Sequence, residues 1–186
     1  IATLTGKFVK AVSGTEVRIF DTRKTTPGHR LLEKYAVRMG GGHNHRMGLY
    51  DQVLIKDNHL RCLGVRRDVE SMTDFLRWLR ERLPGTVIEV EVDDLGRLRE
   101  VLAAKPDVIL LDNLSPEEVA RAVRRARRVR KRIILEVSGG VNLRNVARFA
   151  TTGVDRISVG ALTHSAPAVD LSARLEDVHE PDEGIR

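Results

Sequence analysis

Two adjacent cationic residues, Arg23 and Lys24, follow Thr22 in a hydroxyl-rich segment. Residues 16–20 before them alternate in polarity as a short strand does, and Pro27-Gly28 then breaks the backbone. In parallel α/β sheets, ligands bind at the carboxyl ends of the strands. These side chains are therefore candidates for binding an anion with several oxygens, such as a pair of carboxylates or a phosphate. A solvated surface loop would have the same composition.

A second cationic loop, residues 43–49, contains His43, His45 and Arg46. The two histidines are two residues apart and would share one side of an extended segment. No cysteine or carboxylate stands at a familiar zinc spacing from them. We therefore predict that Arg46 and either histidine bind an anion rather than a metal.

Lys56 directly follows the apolar run 53–55, at the position where a strand is expected to end. A lysine there can hold an anion or form a Schiff base with a carbonyl substrate. Most lysines instead extend from the surface into water. The position of Lys56 after a buried run favours a role in a site.

Carboxylates alternate with aliphatic residues in segment 87–93, which contains Glu89, Glu91 and Asp93. If the aliphatic face packs against helices, these three carboxylates point into the interior of a barrel. Asp112 ends a second apolar strand. Buried carboxylates are costly unless cations or a metal-bound ligand pair with them. The cationic residues described above could supply that pairing.

Glycine-containing loops follow the last two apolar strands of the chain. Their residues are Ser138, Gly139 and Gly140 in the first loop, and Val159, Gly160 and Ala161 in the second. Glycines at the end of a strand let backbone N–H groups point at a phosphate. Two such loops in succession are typical of barrels that bind a phosphate.

The composition limits the class of protein. With 186 residues, of which 41% are hydrophobic, the chain fits one domain with a single core. It has no uninterrupted apolar run of about 18 residues, so we predict no contact with a membrane. Its single cysteine, Cys62, gives no disulfide framework. We expect a cytoplasmic location.

The net charge of +6 raises the alternative of a basic nucleic-acid-binding module, since much of the excess lies in residues 121–132. Apolar residues recur there at helical spacing, however, and leave the cations on the other faces. No aromatic residue interleaves with this run to stack on bases. The pattern favours a solvated, arginine-rich helix and no nucleic-acid partner.

Strand and helix patterns alternate along the chain and indicate an incomplete, TIM-like α/β barrel of about seven strands. We place a lead-in helix at residues 1–14, the barrel at 15–175 and a polar tail at 176–186. One of the seven predicted strands is the brief segment 37–39, which ends at a run of three glycines.

With these elements placed, the sequence resembles the quinolinate phosphoribosyltransferases. The resemblance rests on seven segments, which occur in the family's order and span most of the chain: DTRKTTPG (21–28), NHRMGL (44–49), LIKDNH (54–59), EVEV (89–92), LLDN (110–113), SGG (138–140) and VGALTHS (159–165). Seven segments together make the match specific.

The resemblance implies that the chain transfers a phosphoribosyl group from phosphoribosyl pyrophosphate (PRPP) to quinolinate. Such a reaction needs Mg²⁺, held mainly by PRPP, and gives nicotinate mononucleotide, CO₂ and pyrophosphate. The implied catalytic residues are Lys24, Lys56, Glu91 and Asp112, of which the two carboxylates face the ribose and the metal. The implied substrate-binding residues also include Thr22, Arg23, His45 and Arg46, and the two glycine loops would hold the 5′-phosphate.

The family architecture implies further partners. Its members carry a helical and open-sandwich domain before the barrel, and this domain packs on the partner subunit and lends it an arginine. That domain does not appear in this sequence, and we expect a homodimer, or a hexamer built from dimers, whose site needs a residue from outside these 186. Alternatives are a related pyridine phosphoribosyltransferase of the same fold, and an aldolase that forms a Schiff base through Lys56.

Overall fold

The computed structural model describes residues 1–175 and contains one parallel sheet of six strands. The strands are β1 (Arg18–Phe20), β2 (Val53–Ile55), β3 (Ile88–Val92), β4 (Val108–Asp112), β5 (Ile134–Ser138) and β6 (Arg156–Ser158). Their order in the sheet is β1-β6-β5-β4-β3-β2, and every neighbouring pair is parallel. Within residues 1–175, β1 and β2 are the outer strands, so the sheet does not close there.

Eight helices accompany the strands in the described part of the chain. They are α1 (Ala2–Ala11), α2 (Arg30–Met39), α3 (Asp57–Cys62), α4 (Val69–Arg82), α5 (Leu98–Ala104), α6 (Pro116–Val129), α7 (Val146–Ala150) and α8 (Ala161–His164). From β1 onwards, at least one helix separates each strand from the next, as parallel pairing requires. The predicted parallel α/β architecture is therefore confirmed, and none of these helices is long and apolar enough to cross a membrane.

The core lies between the sheet and the helices. Central positions of the middle strands, such as Val90, Ile109 and Leu135, are fully buried because helices cover them. The basic helix α6 begins with a capping box between Ser115 and Glu118. It buries its small apolar residues and leaves its arginines on the outside, as the sequence predicted.

Three local predictions are wrong. Segment 37–39 is the last turn of α2 and not a strand, because Lys34 and Val37 recur at helical spacing and are both buried. This reduces the number of strands to six. The sequence Ser71-Met72-Thr73-Asp74 resembles a capping box and predicts a helix start at Ser71, but α4 is capped by Asp68, whose side chain accepts the Ser71 N–H, so Ser71 lies inside the helix. Asp93 follows the end of β3 and is exposed rather than inside the barrel.

The predicted lead-in helix exists as α1, which contacts α2 and β1. His29 immediately precedes α2, and its Nδ1 atom lies 3.1 Å from the carbonyl oxygen of Pro27. The predicted tail, residues 176–186, lies outside the described residues.

Candidate active site

The carboxyl ends of the strands surround a cavity of about 550 Å³. Its lining includes almost every predicted site residue: Thr22, Arg23, Lys24, His45, Arg46, Lys56, Asp112, Ser138, Gly139, Gly140, Gly160 and Ala161. Glu91 and Val159 are the predicted residues that do not line it. Segments that are far apart in the sequence thus meet at one edge of the sheet, which is the expected position of a ligand site.

Guanidinium groups form one side of the cavity. Among the described residues, the buried Nε atom of Arg23 has no hydrogen-bond partner. Arg46 donates to the carbonyl oxygen of Gln52 at 3.1 Å. Burial lowers the pKa of Arg46, and the charge of Arg23 lowers it further, so the two cations lie close enough to repel each other. A bound anion would remove that repulsion and satisfy the buried donor.

Lys56 and Glu91 form an ion pair at the ends of β2 and β3. Burial raises the pKa of Glu91, against the opposing effect of Lys56, and the nearby charges of Asp112 and Asp57 raise it as well. Glu91 reaches the site through Lys56, although it does not itself line the cavity. An amine that is paired with a carboxylate is a poor nucleophile, so the arrangement favours anion binding over Schiff-base chemistry.

His45 lies above two fully buried carboxylates. Its Nε2 atom is 3.1 Å from Glu89 and 3.4 Å from Glu136. Gln52 donates to Glu89 at 2.5 Å, and Ser158 donates to Glu136. Burial alone would lower the pKa of His45, but the hydrogen bonds to Glu136 and Glu89 outweigh it and raise this pKa to about 9.

The other ring nitrogen of His45 is also engaged. Its Nδ1 atom accepts a hydrogen bond from the backbone N–H of Arg46 at 2.8 Å. A second proton on the ring would have to occupy Nδ1 and displace that N–H. The protonation of His45 is therefore coupled to the position of the Arg46 backbone.

His45, Glu89 and Glu136 are also the group of potential metal ligands found among the described residues. The contact distances from Nε2 are those of hydrogen bonds within an ion pair, and both carboxylates already accept other donors. His43, predicted to share a side with His45, instead stacks on Phe20 at 5.3 Å and does not line the cavity. Burial lowers the pKa of His43, and Arg18 and Arg156 add to this effect.

A buried ion pair between Asp21 and Lys34 connects the two cationic loops. Lys34 Nζ lies 2.5 Å from Asp21 Oδ1, and both side chains are almost completely buried. The same Asp21 carboxylate accepts the backbone N–H of His45 at 2.8 Å and the side-chain amide of Asn44 at 2.6 Å. Asp21 therefore joins the end of β1 to the loop that carries Arg46.

Positive backbone angles shape the first glycine loop. Gly139 has a φ of 87°, and a Cβ atom there would lie 2.2 Å from Asn113 Oδ1. Gly140 has a φ of 62°, and a Cβ atom there would meet nothing within 4 Å. Only glycine fits at position 139, whereas position 140 is open toward the cavity.

In the second glycine loop, a Cβ atom at Gly160 would lie 2.9 Å from His164 Nε2. The N–H of Val159 donates to the carbonyl oxygen of Phe20 at 2.9 Å. That N–H thus belongs to the sheet, and only Gly160 and Ala161 of this loop line the cavity.

Sequence reasoning missed several residues of the site. Asn113, Glu136, Ser158 and His164 line the cavity, and Asn113 also donates to Asp112 Oδ2 at 2.8 Å. Glu136 sits inside an apolar run as Glu89 does, which is a signal that could have found it. Asn113 and His164 fall within the matching segments LLDN and VGALTHS without being singled out, and Ser158 carries no local signal, because its role depends on the approach of a neighbouring strand.

A parallel α/β sheet with cations, carboxylates and glycine loops at the carboxyl ends of its strands belongs to the class of α/β domains whose strand ends form an anion-binding site. Residues 1–174 match the family model of the quinolinate phosphoribosyl transferase C-terminal domain. The chain belongs to this family, as the sequence predicted.

Similar proteins span a longer chain. The nicotinate-nucleotide pyrophosphorylase [carboxylating] of Mycobacterium leprae is 49% identical over 94% of this chain and 60% of its own length. The probable enzyme of that name from Synechocystis is 43% identical over 94% of this chain and 58% of its own. The structure of the Francisella tularensis nicotinate-nucleotide pyrophosphorylase superposes with a TM-score of 0.82 at 45% identity, covering 92% of this chain and 58% of that one. This chain therefore spans about three fifths of these relatives.

Proposed function

We propose that the chain is the catalytic barrel of a quinolinate phosphoribosyltransferase. It would transfer a phosphoribosyl group from PRPP to quinolinate, with loss of CO₂, for the biosynthesis of NAD. The observation that carries the proposal is the set of side chains that line one cavity: cationic residues of the two loops that follow β1, the glycine loops after β5 and β6, Lys56 after β2, and Asp112 at the end of β4.

The cationic side suits a ring with two adjacent carboxylates. Arg23 offers a buried donor without a partner, and Arg46 and Lys24 line the same cavity. Guanidinium groups bind carboxylates through two parallel hydrogen bonds, so several cations can hold both carboxylates in one orientation. A monocarboxylate would leave part of this charge unpaired, which favours quinolinate over nicotinate.

The glycine side suits the 5′-phosphate of PRPP. Gly139 and Gly140 present their backbone to the cavity, and Gly160 does so from the neighbouring strand. The small residues allow a phosphate to approach the backbone closely.

Asp112 lines the cavity, and Glu91 lies near it in an ion pair with Lys56. Cleavage of the bond between ribose and pyrophosphate builds positive charge on the ribose, and fixed carboxylates stabilise that charge. Oxygen donors such as Asp112 also suit Mg²⁺, which would neutralise the leaving pyrophosphate. Lys56 would hold an anionic group of a substrate while keeping Glu91 in place.

We further propose that the protein acts as a homodimer or as a hexamer built from dimers. Helix α2 exposes Leu31, Leu32, Tyr35 and Met39, each more than half accessible. An apolar helix face next to an active-site cavity is a candidate subunit interface. The lone Cys62 suits a reducing compartment, and we propose the cytoplasm.

The test is detection of nicotinate mononucleotide by mass spectrometry after incubation of the full-length protein with quinolinate, PRPP and Mg²⁺. We expect the product, together with stoichiometric CO₂, and none when Mg²⁺ is chelated. Nicotinate in place of quinolinate should give little product. Efficient product formation from nicotinate without CO₂ would indicate the related pyridine phosphoribosyltransferase instead.

A further inference from the structure

Three polar residues within the first two turns of α2, namely Arg30, Glu33 and Lys34, form what we call the α2 polar face. Arg30 donates to Thr25 Oγ1 at 3.0 Å, to the carbonyl oxygen of Arg23 at 3.2 Å and to that of Met47 at 3.1 Å. One guanidinium therefore contacts both cationic loops.

The other two members of the α2 polar face repeat this pattern. Lys34 binds Asp21 and donates to the carbonyl oxygen of His45 at 3.1 Å. The carboxylate of Glu33 accepts the N–H of Thr26 at 3.1 Å. Arg30 and Lys34 are one helical turn apart, so both point to the same side of α2.

Four of the bonds of the α2 polar face go to backbone atoms of the loops and two go to the side chains of Thr25 and Asp21, and none goes to a cationic side chain. Arg23 is held through its carbonyl oxygen, so its guanidinium remains available to the cavity. Arg46 lies between His45 and Met47, whose carbonyl oxygens accept from Lys34 and Arg30. The spacing between the Arg23 and Arg46 guanidinium groups therefore depends on one rigid helix.

We infer that Arg30 and Lys34 are positioning residues that set the distance between the two guanidinium groups which bind the substrate carboxylates. This inference rests on the function proposed above. Donors that are already held in the binding geometry bind a rigid dicarboxylate more tightly than mobile donors do, because less conformational entropy is lost on binding. The contribution of Arg30 should therefore be specific to the dicarboxylate substrate.

The test replaces Arg30 in the full-length protein by Gln and, separately, by Lys. We expect Arg30→Gln to raise the KM for quinolinate by about tenfold or more, while the KM for PRPP changes by less than about threefold. The ratio of quinolinate to nicotinate affinity, measured by calorimetry, should fall as well. Arg30→Lys should recover part of the loss, since an ammonium can reach one of the three oxygens. The control is Arg77→Gln, which alters an exposed arginine of α4 that pairs with Asp74, one helical turn away.

Two results would overturn the inference while the unaltered protein still makes product. One is an unchanged KM for quinolinate in both variants. The other is an equal loss for quinolinate, nicotinate and PRPP, which would indicate a general structural role. If Arg30→Gln does not fold, the inference is tested with Arg30→Lys alone, by comparing its KM for quinolinate with its KM for PRPP. Failure of the unaltered protein to make product from quinolinate would instead reject the proposed function.

Discussion

At the scale of single residues, Lys56 offers a direct test of the site. It lies at the end of β2, lines the cavity and pairs with Glu91. We predict that Lys56→Ala lowers kcat/KM for phosphoribosyl transfer by roughly tenfold or more, since a hydrogen bond between charged groups contributes about 1.5–3 kcal/mol. Steady-state kinetics of the full-length protein measure this, with circular dichroism to check the fold. Activity within twofold of the unaltered protein would place Lys56 outside the site.

His45 should make stability depend on pH. Its pKa of about 9 in the folded protein exceeds the value of about 6.5 expected after unfolding. The protonated ring therefore stabilises the fold fully below about pH 6.5, and this stabilisation is lost as the pH rises through about 9. We predict that His45→Gln reduces the free energy of unfolding more at pH 6 than at pH 10, as measured by urea denaturation.

An NMR titration of the His45 ring provides the control for that prediction. A pKa near 9 is expected if the two carboxylates dominate. A pKa near or below 6.5 would contradict the prediction, and would show that the Arg46 N–H keeps Nδ1 free of a proton.

Residue types alone predicted most of the cavity lining. Arg23 and Lys56 are recognisable because each follows an apolar strand closely. The carboxyl ends of such strands are where a parallel α/β sheet binds ligands. Asp21 and Asn113 lie within segments that carry the family resemblance, but their structural roles were not recognisable from residue type. Their importance comes from partners that are distant in sequence, such as Lys34 and Gly139, and no local pattern encodes those contacts.

At the scale of elements, the glycine loop after β5 distinguishes two neighbouring glycines. We predict that Gly139→Ala lowers the free energy of unfolding by roughly 1–3 kcal/mol and raises the KM for PRPP, because the methyl group would collide with Asn113. Gly140→Ala is the matched control. It shares a positive φ but meets no neighbour, so it should cost about 1 kcal/mol or less. Thermal denaturation separates the two variants; equal losses of stability would refute the packing argument.

The parallel strands with buried middles were predictable, since apolar runs alternate with amphipathic helices. The helical conformation of the short segment 37–39 was not predictable from the sequence. Three residues with one β-branched side chain fit either element, and the outcome depends on the buried contacts of Lys34 and Val37, which only the tertiary structure supplies.

At the scale of the whole molecule, the apolar face of α2 should mediate self-association. We predict that Leu32→Asp weakens the dimer of the full-length protein by at least about tenfold in Kd, because the charge would be buried on association. Turnover should fall in parallel if the partner completes the site. Sedimentation velocity measures the association. Val129→Asp, which alters an exposed valine on α6, should leave the dimer intact; an equal effect of both variants would contradict the assignment of the interface.

The strand order has a consequence for the synthesis of this protein. The first strand, β1, pairs with the last, β6, and with no other strand of the described sheet. Thr163 beyond β6 also donates to the carbonyl oxygen of Lys24, 139 residues earlier in the chain. In a nascent chain, the loop that contains Arg23 therefore cannot form its contacts with β6 and Thr163 until nearly all of the domain has left the ribosome. Contacts of such long range form late and slowly, so the anion-binding edge should be the last part of the domain to mature.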